Sequence, residues 1–80
     1  MHIKTLFFGI LKDITNSNSL ELEIDKDNNI EQFVIVLQEK FKGFPNIDTF
    51  TVAVNEEYVE KDFVLKDNDI VAIIPPVSGG

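Results

Sequence analysis

The residues with the most usable chemistry are the last two of the chain, Gly79 and Gly80. We expect them to form the true C-terminus, so that the reactive group is the main-chain carboxylate of Gly80. Because glycine has no Cβ, this carboxylate is unhindered and can enter a narrow channel. A carboxylate becomes electrophilic only when it is activated, for example by adenylation, after which it accepts sulfur as a thiocarboxylate or an amine as an amide. The residues alone leave open the alternative of an inert, frayed chain end.

The residues that precede the glycines favour a projecting arm. Pro75 and Pro76 end the preceding strand and stiffen the base of the arm, while Val77 and Ser78 add little bulk. Fully extended, residues 75–80 reach ~20 Å, which is long enough to enter the active site of another protein. We therefore predict a flexible C-terminal tail over residues 75–80.

The other candidate sites are better interpreted as structural. Glu56 and Glu57 are adjacent and would point to opposite faces of an extended segment, so they cannot act there as a catalytic carboxylate pair. Residues 67–69, Asp-Asn-Asp, resemble a fragment of a calcium loop but lack its further ligands, which favours a plain turn. His2 is the only histidine and lies at the N-terminus, away from any serine that it could activate. No glycine-rich phosphate loop is present, and we expect neither a metal nor a cofactor to bind this chain.

The composition narrows the class of protein and of partner. The 80 residues are 44% hydrophobic, contain no cysteine and carry a net charge of −7, which predicts one small domain without disulfides or a cysteine nucleophile. The acidic charge argues against nucleic acid and favours a partner with a basic surface, unless it serves solubility alone. No segment resembles a signal peptide or a membrane span, so we expect a soluble, cytoplasmic domain without membrane contact.

The hydrophobic patterns predict strands and one long helix. Strands are expected at His2 to Phe8, Leu20 to Ile24, Thr51 to Asn55 and Ile70 to Ile74, with a further short strand at Tyr58 and Val59. In the first strand, alternate residues divide between two faces, and Phe8 falls on the face that we expect to point away from the helix.

The long helix is predicted from its caps and from an apolar stripe. Asn28 is expected as the N-cap, with Glu31 at the third helical position, and Gly43 is expected just beyond the C-terminal end. The stripe consists of apolar residues at helical spacing: Ile30, Val34, Leu37 and Phe41.

The last strand determines the predicted topology. Ile70 to Ile74 is an uninterrupted apolar run, which we expect to be buried on both faces in the middle of a sheet. The simplest arrangement places it parallel to the first strand, with the helix crossing the sheet. This order of elements predicts an α+β fold of the β-grasp, or ubiquitin-like, type: a mixed sheet with one main helix packed across one face. The folded domain is expected to span residues 1–74.

The end of the chain resembles a known family. Residues 69–80, Asp-Ile-Val-Ala-Ile-Ile-Pro-Pro-Val-Ser-Gly-Gly, closely resemble the end of the MoaD-type sulfur carriers, the small subunits of molybdopterin synthase. Residues 6–9 with Lys12 and Asp13, and residues 53–55 before Glu57 and Tyr58, are also similar to that family's pattern. Asn68 departs from it, because glycine is usual in the turn before the last strand, but asparagine tolerates the same backbone geometry.

The resemblance implies a function in sulfur transfer. A ubiquitin-activating-like adenylyltransferase would use ATP to activate the Gly80 carboxylate, and a sulfur donor would convert it to a thiocarboxylate. The tail would then enter the large subunit of molybdopterin synthase, which supplies the catalytic residues. There the sulfur would pass to cyclic pyranopterin monophosphate and build the dithiolene of molybdopterin.

The resemblance also implies which residues bind the partner. In the family, the docking face includes the positions of Lys12, Tyr58 and Ile74, and the residues from Pro75 to Ser78 guide the tail. We add Phe8 because of its expected place on the face away from the helix. Tyr58 and Phe8 are equally consistent with ordinary half-buried residues of a sheet.

Three other functions share the predicted fold. A thiamine-type sulfur carrier has the same Gly-Gly end, but that family is usually shorter and lacks the Pro-Pro-Val sequence. A ubiquitin-like modifier would be joined to lysines through Gly80. An interaction module of the same fold would carry an inert tail.

Overall fold

Five strands form one mixed sheet, and a single long helix packs across it. The computed structural model describes residues 1–76. Its elements, in chain order, are β1 (His2–Phe7), α1 (Ile10–Thr15), β2 (Ser19–Glu23), α2 (Ile30–Lys40), a 3₁₀ helix (Ile47–Thr49), β3 (Thr51–Val54), β4 (Glu57–Tyr58) and β5 (Ile70–Ile74). The predicted strands are all present, with boundaries shifted by about one residue, as is usual for strand ends.

The last strand lies in the centre of the sheet. The strand order is β2-β1-β5-β3-β4, with β1 and β5 parallel and the other neighbouring strands antiparallel. Thr5 is opposite Val71 and Phe7 is opposite Ile73, so the core-facing residues of these two strands are paired with one another. The predicted β-grasp topology is therefore confirmed.

Helix α2 begins at a capping box, one residue later than predicted. The Asn29 side chain accepts a hydrogen bond from the Gln32 backbone N–H (2.9 Å), and the Gln32 side chain accepts one from the Asn29 N–H (2.9 Å). The predicted N-cap, Asn28, instead lies before the helix, where its carbonyl accepts a hydrogen bond from the Leu65 N–H. Both asparagines suit an N-cap, but only Asn29 is followed at the third helical position by a glutamine that returns the bond.

The C-terminal end of α2 also differs from the prediction. The helix ends at Lys40, and Phe41 is the C-cap with extended backbone. Gly43 has the positive φ of 87° that was expected of a glycine after the helix, but it lies two residues beyond the cap.

One face of α2 packs against one face of the sheet and covers it. The helix contributes Ile30, Phe33, Val34 and Leu37, each at most 2% exposed. The sheet meets them with side chains that share the covered face: Ile3, Phe7, Leu22, Val52, Val54, Val71 and Ile73. Phe7 also makes edge-to-face ring contacts with Phe41 and Phe44, which close one end of the core.

The prediction that β5 is buried on both faces is wrong. Val71 and Ile73 are completely buried, but Ile70 is 41% exposed and Ala72 and Ile74 are only half-buried. The physical reason is that α2 is the only long helix among residues 1–76, and one helix covers one face of a sheet. The continuous apolar run of β5 therefore leaves half of its side chains on an open face.

The turn before β5 has the predicted geometry. Asn68 has a φ of 71°, and its backbone N–H donates to the His2 carbonyl (2.7 Å). The buried Asp69 carboxylate accepts hydrogen bonds from the Lys66 backbone N–H (2.8 Å) and from the Asn55 side chain (2.9 Å). The Asp-Asn-Asp sequence is thus a structural turn that fixes the start of β5.

Candidate functional site

The open face of the sheet forms a continuous row of small and apolar residues across four strands. Leu6 of β1 is opposite Ala72 of β5, Ala72 is opposite Ala53 of β3, and Ala53 is opposite Tyr58 of β4. Since side chains alternate along each strand, this row faces away from α2. The two alanines leave space between the larger side chains on either side.

The row lies within a groove of about 620 Å³. Its walls carry exposed apolar surface: Tyr58 is 76% exposed, Phe8 is 44% exposed and Ile70 is 41% exposed. The full lining is Leu6, Phe8, Ala53, Asn55, Glu56, Tyr58, Ile70, Ala72 and Ile74. Contiguous exposed apolar surface rimmed by polar residues is typical of a site for another protein. We therefore take this groove as the candidate docking site.

The structure brings together three of the predicted partner-binding residues and separates a fourth. Phe8, Tyr58 and Ile74 all line the groove. Lys12 is exposed on α1 and is not part of the lining. The buried side chains of Leu11 and Thr15 hold α1 against the domain. Lys12 is thus positioned by this short helix beside the sheet rather than on it.

Several groove residues were not predicted from the sequence. Leu6 lies two residues before the predicted Phe8, and Ala72 and Ile70 lie two and four residues before the predicted Ile74, so the two-residue period of a strand would have identified them. Ala53 and Glu56 gave no such signal, because their places depend on how β3 and β4 pair with the rest of the sheet.

The base of the tail packs against the link between β1 and α1. Gly9 has a φ of 58°, and a Cβ built on it would lie 2.9 Å from Cγ of Pro75. Pro75 is half-buried, whereas Pro76 is exposed. The chain therefore leaves the domain beside Ile74, at the end of the groove, with glycine allowing the close approach.

The predicted reactive segment falls on residues 77–80, which lie outside the described residues. The roles of Val77 and Ser78 as guides, those of Gly79 and Gly80 in the chemistry, and the flexibility of the tail stay predictions.

Away from the groove, the only histidine lies between two acidic side chains. His2 Nε2 is 2.6 Å from a carboxylate oxygen of Glu21, and Nδ1 is 3.3 Å from one of Glu23, all on the exposed β1–β2 pair. In the part of the chain that the structure describes, no group of three His, Cys, Asp or Glu residues is arranged to hold a metal. Across the same residues, every helix is too short or too polar to cross a membrane.

Comparison with known proteins places the chain among sulfur carriers. The sequence profile of the ThiS family matches residues 5–80. The chain is 35% identical over 86 residues to the molybdopterin synthase sulfur carrier subunit of Chlamydomonas reinhardtii, with all of both chains covered. It is 31% identical to the subunit of the same name from Arabidopsis thaliana, with all of this chain and 84% of that protein covered.

A solved structure shares both sequence and fold. It is the protein–protein complex of subunits 1 and 2 of the molybdopterin-converting factor from Helicobacter pylori, in which the similar chain is 27% identical, with a TM-score of 0.73 and complete coverage of both chains. The match across the whole domain, together with the shared β-grasp fold, shows that this chain belongs to the ThiS family.

Proposed function

We propose that this chain is the sulfur-carrier subunit of a molybdopterin synthase. The observation that carries the proposal is the open apolar groove, which ends where the tail leaves the domain. The family match and the names of the full-length relatives support the sulfur-carrier role. The Helicobacter pylori complex supports a large subunit as the partner that binds this chain.

In this proposal the domain docks and the tail reacts. Phe8, Tyr58 and Ile74 pack against the large subunit, and β5 holds the base of the tail at a fixed place beside them. Because β5 pairs with β1 on one side and with β3 on the other, the tail leaves the domain from a strand in the centre of the sheet. A short arm that leaves from a fixed point reaches a limited volume of the partner, which favours delivery of its end to one site.

The proposed chemistry occurs at the carboxylate of Gly80. An adenylyltransferase joins this carboxylate to the AMP part of ATP and releases pyrophosphate. A persulfide of the sulfur donor then displaces AMP to form an acyl disulfide, and a thiol cleaves its S–S bond, which releases the thiocarboxylate and leaves a disulfide on the donor side. In the large subunit the sulfur is transferred to cyclic pyranopterin monophosphate, and water supplies the oxygen that restores the carboxylate. This chain contributes no acid or base to these steps, and ATP is used by the activating partner.

Reconstitution with purified components tests this proposal. The chain is incubated with ATP, a molybdopterin synthase adenylyltransferase and a sulfur donor, and its intact mass is measured. We expect a gain equal to the replacement of one oxygen by sulfur, and we expect a variant that lacks Gly79 and Gly80 to gain nothing. The loaded chain with the large subunit should convert cyclic pyranopterin monophosphate to molybdopterin.

The same experiment separates the other functions of this fold. Adducts with lysine side chains would indicate a protein modifier. A thiocarboxylate that serves thiazole formation, without binding the molybdopterin synthase large subunit, would indicate a thiamine-type carrier. Full molybdopterin formation by the variant without Gly79 and Gly80 would contradict the proposed use of the tail.

A further inference from the structure

The docking groove contains one charged side chain, which has no partner within the described part of the domain. Among the described residues that line the groove, Glu56 alone carries a charge. The remaining polar amide, that of Asn55, is already used within the domain: it donates to Asp69 (2.9 Å) and accepts from the Ile70 backbone N–H (3.1 Å). Glu56 has no ion pair or side-chain hydrogen bond with any of residues 1–76. Its carboxylate is therefore free to interact with a partner.

The backbone at Glu56 is strained. Asn55 and Glu56 form the two-residue turn between β3 and β4, with φ values of 51° and 73°. A turn with two positive φ values is of the type that favours asparagine followed by glycine. Asparagine is in place, but glutamate at the second position costs stability that glycine would not. Nothing in the described part of the domain offsets that cost through the Glu56 side chain, which is the pattern expected of a residue retained for binding.

The location of Glu56 decides what it can bind. When an apolar partner surface covers the groove, water is removed from around this carboxylate. Loss of water around an unpaired carboxylate is unfavourable, and a positive charge on the partner offsets that cost. The net charge of −7 acts in the same direction, because it attracts a basic surface during encounter.

We propose that Glu56 is a specificity-determining residue of the docking groove, which pairs with an arginine or lysine of the large subunit as the groove closes. This inference rests on the proposed function, and it adds a requirement for charge at one rim of an otherwise apolar interface. Glu56 selects the partner through this charge, whereas the apolar residues of the groove supply most of the buried area.

Association kinetics with the isolated large subunit test the proposal. At low salt, we expect Glu56→Gln to slow association roughly threefold and Glu56→Lys to slow it on the order of tenfold. Both differences should shrink as salt is raised, because screening weakens the attraction. The matched controls are Glu39→Gln and Glu39→Lys, since Glu39 is exposed on α2 and its replacement changes the net charge equally. Equal effects at the two positions would overturn the proposal.

A glycine variant separates binding from folding. Glu56→Gly should raise the unfolding temperature, because the turn loses its strain, and should still slow association about as much as Glu56→Gln. A residue with only a structural role would not weaken binding while it increases stability. If this variant binds as fast as the original chain, Glu56 does not contact the partner.

Failure of the proposed function can be distinguished from failure of the inference about Glu56. If the original chain does not bind the large subunit, the docking proposal fails and the inference about Glu56 fails with it. If the original chain binds and Tyr58→Ala weakens the complex, but the Glu56 and Glu39 variants behave alike, only the inference about Glu56 is overturned.

Discussion

The two faces of the sheet are built from alternate residues of the same strands, yet they serve different purposes. On the covered face, Val71 and Ile73 of β5 are completely buried beneath α2. On the open face, Ile70, Ala72 and Ile74 of the same strand remain partly exposed. Both sets are apolar, so hydrophobicity alone does not distinguish a residue that is buried in the core from one that stays on the open face. The difference is whether the chain itself supplies the covering layer.

On the covered face, substitution of a core residue should lower the stability of the domain. Phe33 of α2 belongs to the core beneath the helix and is fully buried. We expect Phe33→Ala to lower the free energy of unfolding by about 3–5 kcal/mol, because it removes buried apolar surface and leaves a cavity. Urea denaturation followed by circular dichroism measures the change. A loss below about 1 kcal/mol would mean that α2 contributes little to the core.

A substitution on the open face should weaken binding to the partner and leave the stability of the domain nearly unchanged. Tyr58 is 76% exposed, so Tyr58→Ala should change the free energy of unfolding by no more than about 0.5 kcal/mol. The same variant should weaken binding to the large subunit by about 2 kcal/mol, because aromatic anchors carry much of the energy of an interface. Calorimetry with the large subunit measures the binding change. Undiminished affinity would remove Tyr58 from the docking site.

The packing at the base of the tail, where β5 ends, is tested at Gly9. Gly9→Ala places a methyl group against Pro75 and requires a positive φ of a residue with a Cβ, so we expect a loss of roughly 2 kcal/mol in unfolding free energy. Gly43→Ala is the matched control, because Gly43 also has a positive φ but has no atom within 4 Å of an added Cβ. We expect Gly43→Ala to lower the unfolding free energy by only about 1 kcal/mol.

A second replacement shows whether the contact with Pro75 is responsible. Pro75→Ala removes the Cγ that the methyl group would meet, so it should recover part of the loss in the Gly9→Ala background and none in the Gly43→Ala background. Equal behaviour of the two backgrounds would show that backbone strain alone explains the effect.

A modest gain in stability is expected at a polar residue on the covered face. Thr5 is fully buried, and its hydroxyl has no hydrogen-bond partner among the described residues. Replacement by valine keeps the shape and removes the unsatisfied group, so Thr5→Val should raise the unfolding free energy by about 1 kcal/mol. Thermal unfolding measures this, and a decrease in stability would show that the hydroxyl has a partner in solution.

The sequence was sufficient for the topology and for most of the apolar stripe on α2. The stripe on α2 followed from periodicity, because burial by one helix requires apolar residues at fixed spacing, and the central place of β5 followed from its uninterrupted apolar run. The caps were less certain, since two adjacent asparagines both suit an N-cap and only the returning bond from Gln32 distinguishes them.

The open face was harder to predict for a physical reason. An apolar run such as Ile70–Ile74 is expected to be buried on both faces when only local sequence is considered. That the second face is left open depends on how many helices the whole chain provides. The groove also includes Ala53, which strand pairing places there, and Glu56, which the β3–β4 turn places there. Pairing over long sequence distances is not encoded in any local pattern.

The most direct test of the docking claim is to map the bound surface by NMR. Amide signals of the isotopically labelled chain are assigned, and unlabelled large subunit is added. We expect the largest changes in β1, in β5 and in the β3–β4 hairpin, around Leu6, Ala72, Glu56 and Tyr58. Signals from the outer side of α2, around Ile35 and Glu39, should change little. Changes concentrated on α2, with the groove unaffected, would contradict the docking claim.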